Sequence, residues 1–101
     1  MTIELDVKVG TQTNCGGFTI IKVQLKRIAA GNVEFINRAS DVSDHYWQAI
    51  QRGAKKALAE KQAKGAVQFT LINALVHPTD ANERVFMQAG YKAIIDGLEK
   101  L

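Results

Sequence analysis

Apolar and polar residues alternate strictly at the start of the chain, where Ile3, Leu5, Val7 and Val9 interleave with Thr2, Glu4, Asp6 and Lys8. A period of two predicts a half-buried strand with one apolar and one polar face. The polar, glycine-bearing stretch over residues 10–17 reads as a hairpin loop. From Phe18 to Ala29 a second strand is predicted, with Ile21, Val23 and Leu25 inward against Lys22, Gln24 and Lys26. Its alternation slips at Ile20-Ile21, where a bulge is expected. Gly31-Asn32 signals a two-residue turn into a short third strand with Val33 and Phe35 on one face.

Beyond Arg38 the period becomes helical. Tyr46, Trp47, Ile50, Ala54, Ala57 and Leu58 line one side and Gln48, Gln51, Arg52, Lys55 and Lys56 the other, predicting a helix over 42–63. Asp41, Ser43 and Asp44 are its capping candidates, and Gly65 is its stop. Val67, Phe69, Leu71 and Leu75 then predict a fourth strand, ended by Pro78. Thr79 or Asp80 is expected to open a second helix, whose stripe is Val85, Phe86, Ala89, Ala93, Ile94, Leu98 and Leu101. Glu83 is placed to complete a capping box.

The order β-β-β-α-β-α, with a polar alternate face on three strands, predicts an α+β two-layer sandwich: a four-stranded mixed sheet with two helices on one face. Counting strand directions puts residues 10–17, 38–42 and 77–80 at one end, together with both helix N-termini. Unpaired backbone N–H groups there favour an anion, although the carboxylates of Asp80 and Glu83 occupy the same position.

At 101 residues the chain forms one domain, 1–101, large enough for a core without a disulfide or metal staple. Its single Cys15 fits a reducing compartment, and no basic neighbour in sequence activates that thiol. No apolar run approaches a membrane span and the opening residues do not form a signal peptide, so a cytoplasmic location is expected. There is no phosphate-loop motif, so no nucleotide should be bound by this chain alone. With His45 and His77 far apart and no Cys-x-x-Cys, neither a metal nor another cofactor is expected.

The net charge is only +3, but residues 22–64 hold nine cations against four anions, a local +5. Lys22 and Lys26 share a strand face with Gln24, while Arg52, Lys55 and Lys56 lie on the polar side of the first helix. These positions fit either a surface that follows RNA phosphates or a solvated face kept soluble by lysines. No aromatic residue interleaves with the strand lysines to form a stacking platform. Gly53, Gly90 and Gly97 inside helices predict close approach of neighbouring elements.

Two segments are more specific. The first helix reads Tyr46-Trp47-Gln48-Ala49-Ile50-Gln51-Arg52-Gly53-Ala54-Lys55-Lys56-Ala57-Leu58, and His77-Pro78-Thr79-Asp80-Ala81-Asn82-Glu83-Arg84-Val85-Phe86 follows the fourth strand, with Ala89-Gly90 beyond. Together they resemble the fourth domain of translation elongation factor G, over residues 16–93. That domain carries a Tyr-x-x-Ala-Ile/Val-x-Lys/Arg-Gly-x-x-x-Ala-Leu helix and a later His-x-x-Asp-x-x-Glu-x-x-Phe segment.

The resemblance implies the same fold and a role at the ribosome, where that domain is a mobile arm whose tip meets transfer and messenger RNA. It implies that His77 lies in one tip loop and that Gly16 and Gly17, beside Asn14, belong to a second. His77 then has two readings: an imidazole that hydrogen-bonds RNA, or a loop histidine beside Pro78 that helps to cap the second helix. The sequence also departs from the family. Gly17 passes straight to Phe18 without the usual Arg, Gln and Tyr, and Gly65-Ala66-Val67 replaces Gly-Tyr-Pro before the fourth strand. The factor's nucleotide-binding domain has no counterpart in these residues. The expectation is a stand-alone, non-enzymatic domain associated with RNA or the ribosome. Its alternative is a protein-interaction or self-assembly module that kept the fold, with a partner protein or a second copy.

Overall fold

The computed structural model describes residues 2–10, 18–28, 33–40, 42–61, 66–75 and 82–100. The predicted elements form in the predicted order: β1 (Thr2–Gly10), β2 (Phe18–Ile28), β3 (Glu34–Asn37), α1 (Asp44–Glu60), β4 (Ala66–Ala74) and α2 (Glu83–Lys100). The sheet runs β1-β2-β4-β3. The β1–β2 and β2–β4 pairs are antiparallel, whereas β3 lies parallel to β4. The sheet is therefore mixed, and β3-α1-β4 is its one parallel crossover among the described residues.

Burial follows the strand alternation. Leu5 and Val7 of β1, Ile21, Val23 and Leu25 of β2, and Phe69 and Leu71 of β4 form the sheet side of the core. Ala49, Ile50, Ala54 and Ala57 of α1 and Phe86, Ala89, Ala93 and Ile94 of α2 close it from the helix side. Helix α1 lies over β3 and β4, where Trp47 meets the Phe35 ring edge-on at 6.2 Å and the Phe69 ring at 6.4 Å. Tyr46 stacks on Phe86 at 4.6 Å, which seals the helix pair near its N-terminal end.

The two helices run in the same direction and touch through their backbones. A Cβ on Gly53 would stand 1.8 Å from the Met87 carbonyl oxygen, and one on Gly90 would stand 2.0 Å from that of Ile50. Gly97 is set against the Leu25 side chain, seating α2 on β2. The close approaches expected of these glycines are all present.

Three local expectations need correction. The irregularity in β2 is not at Ile20-Ile21: Lys22 pairs with Asn73 and Val23 with Leu71, so the extra residue is Ile72, in β4. Ile20 is instead a partly covered residue on the sheet face turned away from the helices. Helix α2 starts at Glu83 with Asn82 as its cap, whose Oδ1 accepts the Val85 N–H at 2.9 Å. Glu83 thus stands at the first helical position, too early for a capping box, and its carboxylate is used elsewhere. Helix α1 spans 44–60, capped by Ser43, whose Oγ accepts the Tyr46 N–H at 3.3 Å. Asp41, the Gly31-Asn32 turn, Gly65, Pro78, Thr79 and Asp80 lie outside the described residues.

Candidate functional site

Strand pairing brings several chain segments to one end of the molecule. Gly10 pairs with Phe18, so residues 11–17 depart from and return to neighbouring strands there. Gly10 has φ 78°, a left-handed conformation that glycine takes without a Cβ penalty. Beside it, the Leu75 N–H donates to the Ile20 carbonyl at 2.8 Å, and the Thr19 hydroxyl donates to the Leu75 carbonyl at 2.8 Å. The end of β4 therefore lies beside the start of β2. The Arg38 N–H donates to Leu71 O at 2.8 Å, directing residues 38–43 toward the same end. Asn14, Gly16, Gly17, His77 and Cys15 themselves lie outside the described residues.

The helix N-termini at this end are already compensated. Asp44 and Glu83 sit in their first turns, where negative charge opposes the partial positive charge of the helix ends. Glu83 also ties the helices together. Its carboxylate pairs with Arg52 of α1 and, through the other oxygen, lies 3.3 Å from His45 Nε2. All three side chains are about half exposed or more, so each contact contributes about 0–1 kcal/mol and chiefly fixes orientation. Sequence reasoning missed this cluster because Glu83 is separated from both partners by more than thirty residues. The visible signal was a basic residue on the polar side of α1 and an acidic residue near the start of α2.

The predicted basic residues do not form one surface. Lys22 and Lys26 lie on the sheet face away from the helices, whereas Arg52, Lys55 and Lys56 lie on the exposed side of α1. On the open sheet face, Lys22 Nζ is 3.5 Å from Glu4 Oε1, and Gln24 donates to the same carboxylate at 3.2 Å. Register sets Asp6 opposite Lys22, Lys26 between Thr2 and Gln68, and Glu34 beside Gln68. Within the strands, Lys8, Lys22 and Lys26 thus share this face with Glu4, Asp6 and Glu34, three cations against three carboxylates. The expected basic patch around Lys22, Gln24 and Lys26 is neutralised by strands that are remote in sequence.

On the helix side, Lys55 Nζ sits 5.7 Å from the Phe35 ring centroid, a cation–π contact. Lys56 lines an open groove of about 310 Å³ between the helices, with Gly53, Arg84, Met87, Gln88 and Tyr91. Tyr91 donates its hydroxyl to the Glu60 carboxylate. That hydrogen bond, aided by partial desolvation and by the Glu60 charge, holds the phenol above its ordinary pKa. A second hollow, of about 410 Å³ on the open sheet face, is lined by Asp6, Ile20, Lys22, Asn73, Ala74 and Leu75. Among the described residues there is no group of three or more His, Cys, Asp or Glu side chains arranged to hold a metal. No helix in them is long and apolar enough to cross a membrane.

No protein-family model matches the chain, and no curated protein matches it. Among solved structures, the fold is similar to that of a protein from Thermus thermophilus, with a TM-score of 0.75 and 22% sequence identity. The match covers 92% of this chain but 15% of the Thermus chain, so the two share a fold over a small part of the larger protein.

Proposed function

We propose that the chain is a non-enzymatic domain of the elongation factor G fourth-domain kind, which contacts RNA on the ribosome through the end bearing residues 10–17, 38–43 and 76–82. The observation that carries this reading is the convergence at that end of the strand termini flanking Asn14, Gly16, Gly17 and His77. The paired helix motifs and the fold likeness to one small part of a longer chain support it. In this reading Arg52 organises the helix ends through Glu83, and Lys55 and Lys56 add a modest electrostatic contribution from the helix face.

Ribosome co-sedimentation across a salt series tests the proposal. Association should weaken as salt rises, because phosphate contacts release counterions, and His77→Ala should weaken it further. Absence of salt-sensitive association, or indifference to His77→Ala, refutes the reading. A second reading, an assembly module, is favoured by the balanced charges of the strands on the open sheet face and by a β1 edge that no described strand covers.

A further inference from the structure

Strand β1 is at the edge of the sheet, and no described strand pairs with its outer side. It is nine residues long and contains no proline, so it offers a template for another strand. Lys92 Nζ reaches over from α2 to the Lys8 carbonyl at 3.3 Å. That contact marks the Lys8 main chain as directed away from β2. Because strand residues alternate, Glu4, Asp6 and Gly10 direct their main-chain groups the same way.

We propose that this edge pairs with β1 of a second copy of the chain, antiparallel and centred on Val7. The proposal deepens the assembly reading and does not depend on RNA binding. Two-fold antiparallel pairing must join outward residues to outward residues, which leaves few registers. Centring on Leu5 sets Glu4 against Asp6 of the second copy. Centring on Asp6 sets that residue against itself at the two-fold axis, between two Glu4–Lys8 pairs, and centring on Lys8 sets Lys8 against itself. Each of these choices opposes like charges. Centring on Val7 instead sets Asp6 opposite Lys8 of the second copy, twice by symmetry, with Leu5 opposite Val9 and Val7 opposite Val7. Opposite charges directly across a strand pair stabilise it and like charges destabilise it.

In this register the Asp6 N–H donates to the Lys8 carbonyl of the second copy, replacing the Lys92 amine, which returns to solvent. Lys92 thus acts as a guard on the edge, displaced by a self-complementary strand and retained against others. The charges of β1 and β2 next to the new seam, Lys8, Lys22 and Lys26 against Glu4 and Asp6, are interleaved rather than clustered as the two sheets join into one of eight strands.

Sedimentation velocity from micromolar to millimolar protein is the test, with circular dichroism and thermal unfolding verifying each variant's fold. The wild type should dimerise with concentration. Lys8→Asp, whose neighbour within the sheet is the uncharged Ile20, should weaken the dimer by about tenfold or more, and Asp6→Lys combined with Lys8→Asp should restore it. If Lys8→Asp fails to fold, Asp6→Lys alone makes the same clash from the other side. A strict monomer overturns both the proposal and the self-assembly reading. A dimer indifferent to the single variant overturns the β1 edge while leaving assembly standing. Failure of the folded double variant to recover overturns the register.

Discussion

Replacing Gly90 with alanine should separate the two helices, although alanine is the better helix former. The new Cβ would stand 2.0 Å from the Ile50 carbonyl oxygen, and the equivalent change at Gly53 would put one 1.8 Å from that of Met87. Both obstacles are main-chain atoms inside helices and cannot rotate aside. Ordinary contact requires the backbones to part by about 1.5 Å, which forfeits much of the dispersion across the surrounding interface. Overpacking of this kind costs about 3 kcal/mol at the upper end of its usual range. Against that, replacing glycine inside a helix returns about 1 kcal/mol. The expected net loss is about 2 kcal/mol for either variant, a fall in Tm of about 8–16 °C for a domain of this size. Because one separation relieves both clashes, the double variant should lose clearly less than the sum of the singles. Gly97→Ala provides the comparison: its Cβ meets the Leu25 Cδ1 at 2.0 Å, the end of a side chain that can turn, so its loss should be smaller. Urea unfolding with tryptophan fluorescence and calorimetry measures all four variants. A rise in Tm for Gly53→Ala or Gly90→Ala refutes backbone contact between the helices.

Two further outcomes follow from the helix ends and from Tyr91. Asn82→Ala should cost about 1 kcal/mol by removing the α2 cap, whereas Thr79→Ala should change unfolding free energy by much less. Equal losses refute Asn82 as the cap. A tyrosine with a raised folded pKa contributes stability that is fully present below the unfolded value of about 10 and is lost as pH rises through the folded one. Tyr91→Phe should therefore flatten the alkaline decline in stability above about pH 10, measured as Tm against pH. An unchanged alkaline limb refutes the role of the Tyr91–Glu60 hydrogen bond.

The sequence made the architecture legible where each element is half buried. The alternation in β1 and the apolar stripe of α1 reflect one wet face and one dry face, and both elements form where those patterns lie. The start of α2 was less legible because Thr79, Asp80 and Asn82 can all cap a helix. The choice falls to Asn82 because Val85 and Phe86 must then point into the core. The slip at Ile20-Ile21 misplaced the bulge for a related reason. Two adjacent apolar residues show that both sheet faces are partly covered, but they do not show which strand of a pair carries the extra residue.

The candidate site was legible only in outline. Strand parity located the end where the strand termini converge, because direction accumulates along the chain. Charge neighbours do not accumulate that way. Glu4 neutralises Lys22 through pairing across the hairpin, and Glu83 captures Arg52 from the other helix, so a count of +5 over residues 22–64 could not reveal a basic surface.

The position of β4 has a consequence for how the protein comes into being. Strand β4 lies between β2 and β3, although about two thirds of these residues are synthesised before it. Until residues 66–74 leave the ribosome, the β1–β2 hairpin and the β3-α1 segment have no strand to join them. A nascent chain of that length holds apolar faces with no common partner and must be shielded until β4 arrives. When it does, one insertion completes both strand pairings and places the Phe69 ring beneath Trp47 of α1. Commitment to the native state is thereby concentrated in a single late event, dominated by contacts between residues far apart in sequence.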